Sequence, residues 1–224
     1  MSELSLEQAI LTRHSVRGFL PKEVPDELLR RVFELAQWSP SGTNVQPWQA
    51  YVASGAALLR MRSEFIRRVE SKVPAKPDLP DRGKMGDLFK RRRRDCAAAL
   101  YTAMGIAWED KVGRARAGKR NFEMFDAPHV VFLCMKDNFG SQTAADVGMY
   151  AQTLMLAMTA NGLASCAQGT MAHYPDMVRD NFGFEEDVKV LFGISFGYQD
   201  PSVAANTART NRAPLEESVT FISE

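Results

Sequence analysis

The amino-acid sequence predicts an α+β sandwich in which helices outnumber strands. The 3.6-residue periodicity of helices recurs along most of the chain, whereas only three short apolar runs have the character of strands. The two kinds of segment do not alternate regularly, which argues against a doubly wound parallel sheet. With 224 residues, of which 45% are hydrophobic and 25% charged, the chain can bury the core of one domain without disulfides or metals.

Six segments carry the helical pattern. Ser5 is a candidate cap for the first, and Asp26 and Glu27 place negative charge in the first turn of the second, where the helix dipole favours it. The turn at Ser39–Gly42 ends the second helix, and Asn161-Gly162 ends the fifth. The predicted helices cover residues 5–12, 25 to the turn at 39–42, 55–71, 84–123 with a break near Gly113 to Gly118, 143–161 and 175–182.

Three segments are predicted strands, namely residues 48–53, 128–135 and 188–198. The middle one is continuously apolar from Val130 to Met135, which is typical of a strand buried on both faces. The stretch Val73–Asp81 contains three prolines, so it is predicted to be a loop or a boundary between the core and an inserted segment.

Charge and cysteine content exclude several classes of protein. The formal net charge is +1, so no overall field points to a nucleic acid or a membrane surface. The three cysteines are odd in number and widely separated, which fits neither a disulfide framework nor a CxxC metal site and favours a reducing cytoplasm. The three histidines form no i, i+4 pair, so no metal site is predicted. The apolar stretch Met149–Ala167 is interrupted by polar residues and is predicted to be a buried helix rather than a membrane span.

Four polar motifs are candidates for ligand binding. Arg13-His14-Ser15-Val16-Arg17 offers two guanidinium forks and a hydroxyl, which match the oxygens of a phosphate. The loop Ser39–Trp48 is rich in amides, hydroxyls and small residues, so it can approach a flat heterocycle and bond to its edge. In Ser165–Thr170, Gly169 lets backbone N–H groups face a ligand, and Asn206–Leu215 adds two further arginines.

Each motif taken alone also has a plainer interpretation. The first is then a solvated basic turn, the second an ordinary helix-to-strand connection, the third a strand ending in a turn and the fourth a solvated loop. The run Arg91–Arg94 could attract a carboxylate or a nucleotide phosphate, but a solvated helix face is the favoured interpretation.

In chain order, the four motifs resemble the nitroreductase family of flavoproteins. The resemblance is carried by Arg-x-Ser-x-Arg from Arg13, Pro-Ser-x-x-Asn-x-Gln-Pro-Trp from Pro40, Gly-Leu-x-Ser with a following Gln-Gly from Gly162, and Arg-x-Pro at Arg212. It extends over most of the chain. The segment from Arg92 to Pro128 is most similar to the branch that includes nitrobenzoate reductases.

This resemblance implies that residues 1–224 form a single FMN-binding domain, with 82–123 as a helical insertion that covers the active site. The implied fold is a mainly antiparallel sheet flanked by helices, in a domain-swapped homodimer with two FMN sites at the interface. The helix at 143–161 would form the interface core, and the tail near Phe221 would reach onto the neighbouring subunit.

The resemblance also implies how FMN is held. Arg13 and Arg212 would clamp its phosphate, with Arg209 as a helper. His14 and Ser15 would lie along the phosphate and the ring edge. Arg17 would stand at the N1 and O2 side of the flavin ring, where a fixed positive charge stabilises the reduced form.

The remaining implied contacts are to the ring. Asn121 would bond to the pyrimidine edge, and the backbone N–H groups of Gln168 and Gly169 would approach the flavin N5. The loop of the other subunit, or the same loop closing over the ring edge, would contribute Pro40, Ser41, Asn44 and Gln46.

The implied activity is hydride transfer from NADH or NADPH through the flavin N5 to nitroaromatic or related electron-poor acceptors, by a ping-pong mechanism. No catalytic side-chain base is predicted. The alternatives are a flavoenzyme of the same fold with another reaction, such as a reductive dehalogenase, an enone reductase or an oxidase, and a non-catalytic flavin-binding protein. A nucleic-acid binder is disfavoured by the near-zero net charge.

Overall fold

The computed structural model describes residues 4–80, 83–136 and 140–223. Within these residues the chain forms seven α-helices and four β-strands, which confirms the predicted α+β class. The helices are α1 (Leu6–Thr12), α2 (Asp26–Ala36), α3 (Gly55–Glu70), α4 (Asp87–Ala103), α5 (Lys111–Lys119), α6 (Ser141–Ala160) and α7 (Pro175–Phe182). The strands are β1 (Gln49–Ser54), β2 (His129–Lys136), β3 (Ala164–Gln168) and β4 (Val188–Gly197).

Local sequence signals account for several helix ends. Ser5 caps α1 as predicted, because its hydroxyl accepts the Gln8 N–H at 3.2 Å while the Gln8 side chain accepts the Ser5 N–H at 2.8 Å. Gly183 ends α7 with a φ of 69°, a left-handed conformation that glycine adopts without steric cost.

The four strands form one antiparallel sheet in the order β1-β2-β4-β3. All of β2 except its last residue is buried, as its continuous apolar sequence predicts. Its side chains alternate between two hydrophobic clusters on the two faces of the sheet, with Val131 and Leu133 in one and Val130 and Phe132 in the other.

Helices cover both faces. Val32 of α2 and Leu154 of α6 pack in the cluster on one face, and Phe65 of α3 and Val178 of α7 pack in the cluster on the other. Among the described residues, no helix is long and apolar enough to cross a membrane.

Two expectations about individual elements are wrong, and the apolar stretch Met149–Ala167 is not one helix, since α6 ends at Ala160 and β3 begins at Ala164. The predicted order contained three strands, and the fourth, β3, is a strand because its five residues pair with β4 from Ala164 opposite Gly197 to Gln168 opposite Gly193. The predicted break near Gly113 to Gly118 lies instead between α4 and α5, since both glycines are within α5.

The physical reason for the second error lies in the connection itself. Gly105 ends α4 with a φ of 66°, and the side chain of Asp110 then accepts the Gly113 N–H at 2.8 Å and begins α5. Gly113 belongs to this cap, because a Cβ at its position would collide with the Asp110 carboxylate.

Candidate active site

The N-terminal arginine motif runs alongside β3. The Val16 N–H donates to the Ser165 carbonyl at 3.1 Å, and Ser15 forms a parallel bridge with Ser165. The segment therefore lies beside the strand that leads to Gln168 and Gly169. Burial raises the pKa of the neighbouring Cys166 thiol, while the positive charges of Arg17 and Arg13 act in the opposite direction.

A chain of side-chain hydrogen bonds brings Asn121 to the end of β3. Gln168 is buried, and its Nε2 donates to the Asn121 carbonyl at 2.8 Å. Its Oε1 accepts the hydroxyl of Ser195, a residue of β4, at 2.5 Å. The backbone position of Asn121 is thus tied to two strands of the sheet.

The C-terminal motif reaches the same place through Asn206. Its Oδ1 accepts the Arg17 N–H at 2.6 Å, and its carbonyl accepts Nη1 of Arg209 at 2.8 Å. The guanidinium of Arg212 is exposed, and its hydrogen bonds go to the neighbouring Thr210 and Asn211.

Arg17 and Asn121 line one cavity of about 400 Å³. Helices α4 and α5 form one of its walls. The charge of Arg120 in this lining is offset by Glu123 and Asp126, both at 2.6 Å, whereas Arg116 has no ion-pair partner among the described residues. The apolar lining consists of Leu100, Met104, Ile106, Ala117, Phe125 and Val203, together with Ala204 and Ala205.

Buried polar atoms without partners test whether FMN fits. Nδ1 of His14 bonds to the Thr12 carbonyl at 2.9 Å, but its Nε2 is buried with no hydrogen-bond partner among the described residues. The hydroxyls of Ser165 and Thr170 are also buried with no hydrogen-bond partner among the described residues. Since buried polar atoms are rarely left without partners, these three atoms beside the arginine motif and β3 fit a polar ligand such as FMN.

Among the described residues, the loop that follows α2 makes hydrogen bonds to α6 and within itself, not to the residues named above. The Gly42 N–H donates to the Asp146 carboxylate of α6 at 3.3 Å, and the Gln46 N–H donates to the Ser41 hydroxyl at 2.9 Å. In the described part of the chain, no hydrogen bond joins the loop to the Arg13–Arg17 segment. Pro40, Asn44 and Gln46 are exposed.

The loop is also strained. Thr43, Asn44 and Gln46 have φ angles of 48°, 59° and 50°, which side chains larger than glycine rarely adopt. Such conformations persist where the surrounding structure holds them, and they cluster at ligand-binding sites.

Three residues of the site were missed by sequence reasoning. Ser195 and Asn206 are buried polar residues whose partners come from distant parts of the chain, and Arg116 faces the cavity from α5. The only signal for Ser195 was a hydroxyl within a mainly apolar strand. Asn206 is the first residue of the fourth motif, but the sequence predicted no role for it.

The Nitroreductase family model matches residues 10–198 of the chain. The chain belongs to the nitroreductase family. Nitroreductase NfnB of Mycolicibacterium smegmatis (strain ATCC 700084 / mc(2)155) is 42% identical over 217 residues, covering 96% of this chain and 92% of that protein. The 4-nitrobenzoate reductase of Nocardioides sp. (strain LMS-CY) is 30% identical over 94% of this chain and 87% of its own length. The predicted membership of the nitroreductase family is thereby confirmed.

Solved structures agree with this membership. The FMN-dependent nitroreductase NfnB from Mycobacterium smegmatis, crystallised in complex with NADPH, has a TM-score of 0.92 with this nitroreductase-family chain at 41% identity, covering 97% of each. The FMN- and NADPH-dependent NfnB from Sphigopyxis sp. strain HMH has a TM-score of 0.95 at 34% identity, covering 99% of this chain and 100% of its own. The nitroreductase fold is therefore confirmed for this chain.

Proposed function

We propose that this nitroreductase-family protein is an FMN-dependent oxidoreductase that uses NAD(P)H to reduce nitroaromatic or related electron-poor acceptors. The observation that carries the proposal is that Arg17 of the first motif and Asn121, just after α5, line one cavity beside the end of β3. Support comes from the similarity, over 97% of this chain, to an FMN-dependent nitroreductase crystallised with NADPH.

The phosphate of FMN would be held by Arg13 and Arg212, with Arg209 as a helper. None of the three has a carboxylate partner among the described residues, so their charges are available to an anion. Guanidinium forks match phosphate oxygens in charge and geometry. His14 and Ser15 add a ring nitrogen and a hydroxyl along the same edge.

The flavin ring is placed by Arg17, Asn121 and the backbone at Gln168 and Gly169. When bound, FMN supplies the redox chemistry, accepting hydride from NAD(P)H and passing electrons to the acceptor. Arg17 would supply a fixed positive charge beside the flavin ring, which would stabilise the negative charge of its reduced form. The apolar wall from α4 and α5 would exclude water. The segment 82–123, of which residue 82 lies outside the described residues, would in this way cover the site of a single domain.

The functional unit is a homodimer in which the loop of a second copy supplies Pro40, Ser41, Asn44 and Gln46. In one chain this loop is hydrogen-bonded to α6 and, among the described residues, makes no hydrogen bond to the arginine motif, which fits a role across an interface. Large exposed hydrophobic side chains support the same arrangement, since monomers rarely leave so many uncovered. They are Leu6, Ile10, Leu11, Trp38, Val45, Met149, Phe221 and Ile222.

Two smaller parts of the proposal concern metal and location. Catalysis needs no metal ion. The cytoplasm is the proposed location, since all three cysteines are free thiols, as a reducing compartment keeps them.

The first experiment is the visible absorption spectrum of the purified protein, followed by heat denaturation and identification of the released chromophore. FMN in a near one-to-one ratio with the chain is expected. Anaerobic assays then compare nitroaromatic, halophenol and enone acceptors with NADH and NADPH. A protein that binds FMN but oxidises neither nucleotide with any acceptor would contradict the enzymatic part of the proposal.

The phosphate assignment is tested by Arg13→Ala. Loss of one charge-assisted contact should weaken FMN binding to the apoprotein by about 10- to 100-fold, as measured by quenching of flavin fluorescence. Arg60→Ala is the matched control, because Arg60 is exposed on α3 and has no ion-pair partner among the described residues. If Arg13→Ala retains FMN as tightly as Arg60→Ala does, the phosphate site is wrongly placed.

A further inference from the structure

We infer that Asn206 is a positioning residue that holds Arg17 and Arg209 in one arrangement, so that the phosphate grip and the charge beside the flavin ring depend on the same buried amide. The inference rests on the proposed FMN site. Asn206 is 2% exposed, and it is one of the few buried polar residues in the described part of the chain.

The side chain of Asn206 uses both ends of its amide. Oδ1 accepts the Arg17 N–H at 2.6 Å, and Nδ2 donates to the carbonyls of Gly18 and Asp200, each at 2.8 Å. Both hydrogens of the amide nitrogen and one lone pair of the oxygen are therefore engaged. No other polar side chain of similar size offers one acceptor and two donors in this planar arrangement.

The backbone of Asn206 makes the second connection. Its carbonyl accepts Nη1 of Arg209 at 2.8 Å, and the same nitrogen donates to the Ala208 carbonyl at 2.9 Å. A displacement of Asn206 would consequently move the anchor of Arg209 and the anchor of the Arg17 backbone together.

The two chain segments joined by Asn206 are in close contact along their length. The Leu20 N–H donates to the Tyr198 carbonyl at 2.9 Å, and the Asp200 N–H donates to the Gly18 carbonyl at 3.1 Å. A Cβ at Gly18 would lie 2.6 Å from the side chain of Val203, so the segments approach as closely as glycine permits. Asn206 therefore lies where backbone hydrogen bonds and close packing fix the position of one segment relative to the other.

The guanidinium of Arg17 depends on this fixed arrangement for its location. Among the described residues it has no ion-pair partner, and its one hydrogen bond there goes from Nη1 to the Ser15 carbonyl at 3.2 Å. The electrostatic energy between two charges varies inversely with their separation, and it varies most steeply at short range. A site whose supporting contacts are loosened by about 1 Å loses much of its function.

The test compares Asn206→Ala with Asn181→Ala. Asn181 is the control for the loss of an amide donor, because its Nδ2 also donates to a backbone carbonyl, that of Met177 at 2.9 Å, from an exposed position on α7. Three quantities are measured for each variant: the FMN dissociation constant of the apoprotein, the midpoint potential of the bound flavin, and the apoprotein melting temperature. We expect Asn206→Ala to weaken FMN binding about tenfold and to make the potential more negative. We expect Asn181→Ala to change only the melting temperature.

Asn206→Asp is the second variant, and it keeps the protein testable if Asn206→Ala does not fold. Its carboxylate retains an acceptor for the Arg17 N–H but places an oxygen against the Gly18 and Asp200 carbonyls. Protonation restores one donor. FMN affinity relative to the wild type should therefore improve as the pH falls. A ratio that stays constant with pH would overturn the inference.

Arg17→Ala and Arg209→Ala distinguish failure of the positioning role of Asn206 from failure of the proposed FMN site. If both weaken FMN binding while Asn206→Ala lowers only the melting temperature, Asn206 is merely structural and the inference fails while the proposed site stands. If neither arginine variant affects FMN binding, the proposed site itself is wrong and the inference falls with it. The inference is supported if all three variants weaken FMN binding and if the midpoint potential of the flavin shifts in Arg17→Ala and Asn206→Ala.

Discussion

Gln168 illustrates how much of the site depends on single buried side chains. The side chain of Gln168 is buried, and its amide accepts the Ser195 hydroxyl and donates to the Asn121 carbonyl. A buried polar atom that loses its partner keeps the full cost of its desolvation. The hydroxyl of Ser195 therefore contributes to the free energy of unfolding by keeping Oε1 of Gln168 hydrogen-bonded.

Ser195→Ala should lower the free energy of unfolding by about 1–3 kcal/mol, because Oε1 of Gln168 would remain buried without a donor. Urea denaturation of the apoprotein measures the loss. Ser63→Ala is the control, since Ser63 is exposed on α3, and a change there within about 0.5 kcal/mol is expected. Equal stability of the two variants would show that the bond to Gln168 contributes nothing.

Sequence reasoning found the residues of the site that resemble a family motif and missed those that support them. Arg17 belongs to a local pattern that can be read within five residues. Ser195 and Asn206 have partners 27 and 189 positions away, respectively, so no local pattern reveals that they are buried. Their roles follow only from tertiary packing.

At the scale of secondary-structure elements, His129 connects three parts of the fold. Its Nε2 accepts the N–H of Val24, just before α2, at 3.0 Å, and its Nδ1 bonds to the hydroxyl of Ser54 at the end of β1 at 2.5 Å. The ring also stacks on Phe196 of β4. Because Nε2 already accepts a hydrogen bond, the ring is neutral in the folded protein.

Burial lowers the pKa of His129 below its ordinary value of 6.5, although the nearby charges of Glu23 and Asp26 act in the opposite direction. The unfolded chain therefore takes up this proton at a higher pH than the folded protein does. The stability contributed by the neutral ring is complete above pH 6.5 and is lost as the pH falls through the lower folded pKa.

The melting temperature of the wild type should consequently fall more steeply than that of His129→Gln between about pH 7 and about pH 5. His129→Gln lowers the melting temperature at neutral pH, because the ring contacts are lost, but it removes the proton-linked part of the decline. Parallel curves for the two proteins would mean that His129 does not titrate in this range during unfolding.

The elements themselves were predictable where their signals are local. The apolar run of β2 and the cap of α1 gave bounds within a residue or two of the observed ones. The strand β3 was not placed in the predicted order, because five residues of mixed polarity become a strand only through pairing with β4. The glycines of α5 suggested a break, because the close packing of Gly113 against the Asp110 cap was not apparent from the sequence.

At the scale of the whole molecule, the proposed dimer is the feature on which the complete site depends. Leu6 and Leu11 of α1 are 69% and 75% exposed, and Phe221 and Ile222 are 83% and 86% exposed. Covering such side chains in water is favourable by roughly 25 cal/mol per Å² of apolar surface. A second copy of the chain would supply both this cover and the loop that follows α2.

Light scattering coupled to size exclusion should therefore give twice the mass of one chain. Leu11→Glu should shift the mass toward the monomer and weaken FMN binding in parallel, because a buried charge at an interface is costly. Leu59→Glu is the control, since Leu59 is 57% exposed on α3, on the opposite face of the sheet from α6. A monomeric wild type that holds FMN tightly would contradict the shared site.

The contact between Arg17 and Asn206 has a consequence for the order in which this chain becomes functional. The ribosome makes the chain from the N-terminus, at roughly 5–20 residues per second, so Arg17 waits about 10–40 s for its partner. Contacts of such long sequence separation also form slowly in folding, since loop closure must precede them. Strand β4, which pairs with both β2 and β3, ends at Gly197, so the sheet and this contact are completed almost together. Nascent chains that end before Val188 should accordingly retain neither a protease-resistant sheet nor flavin.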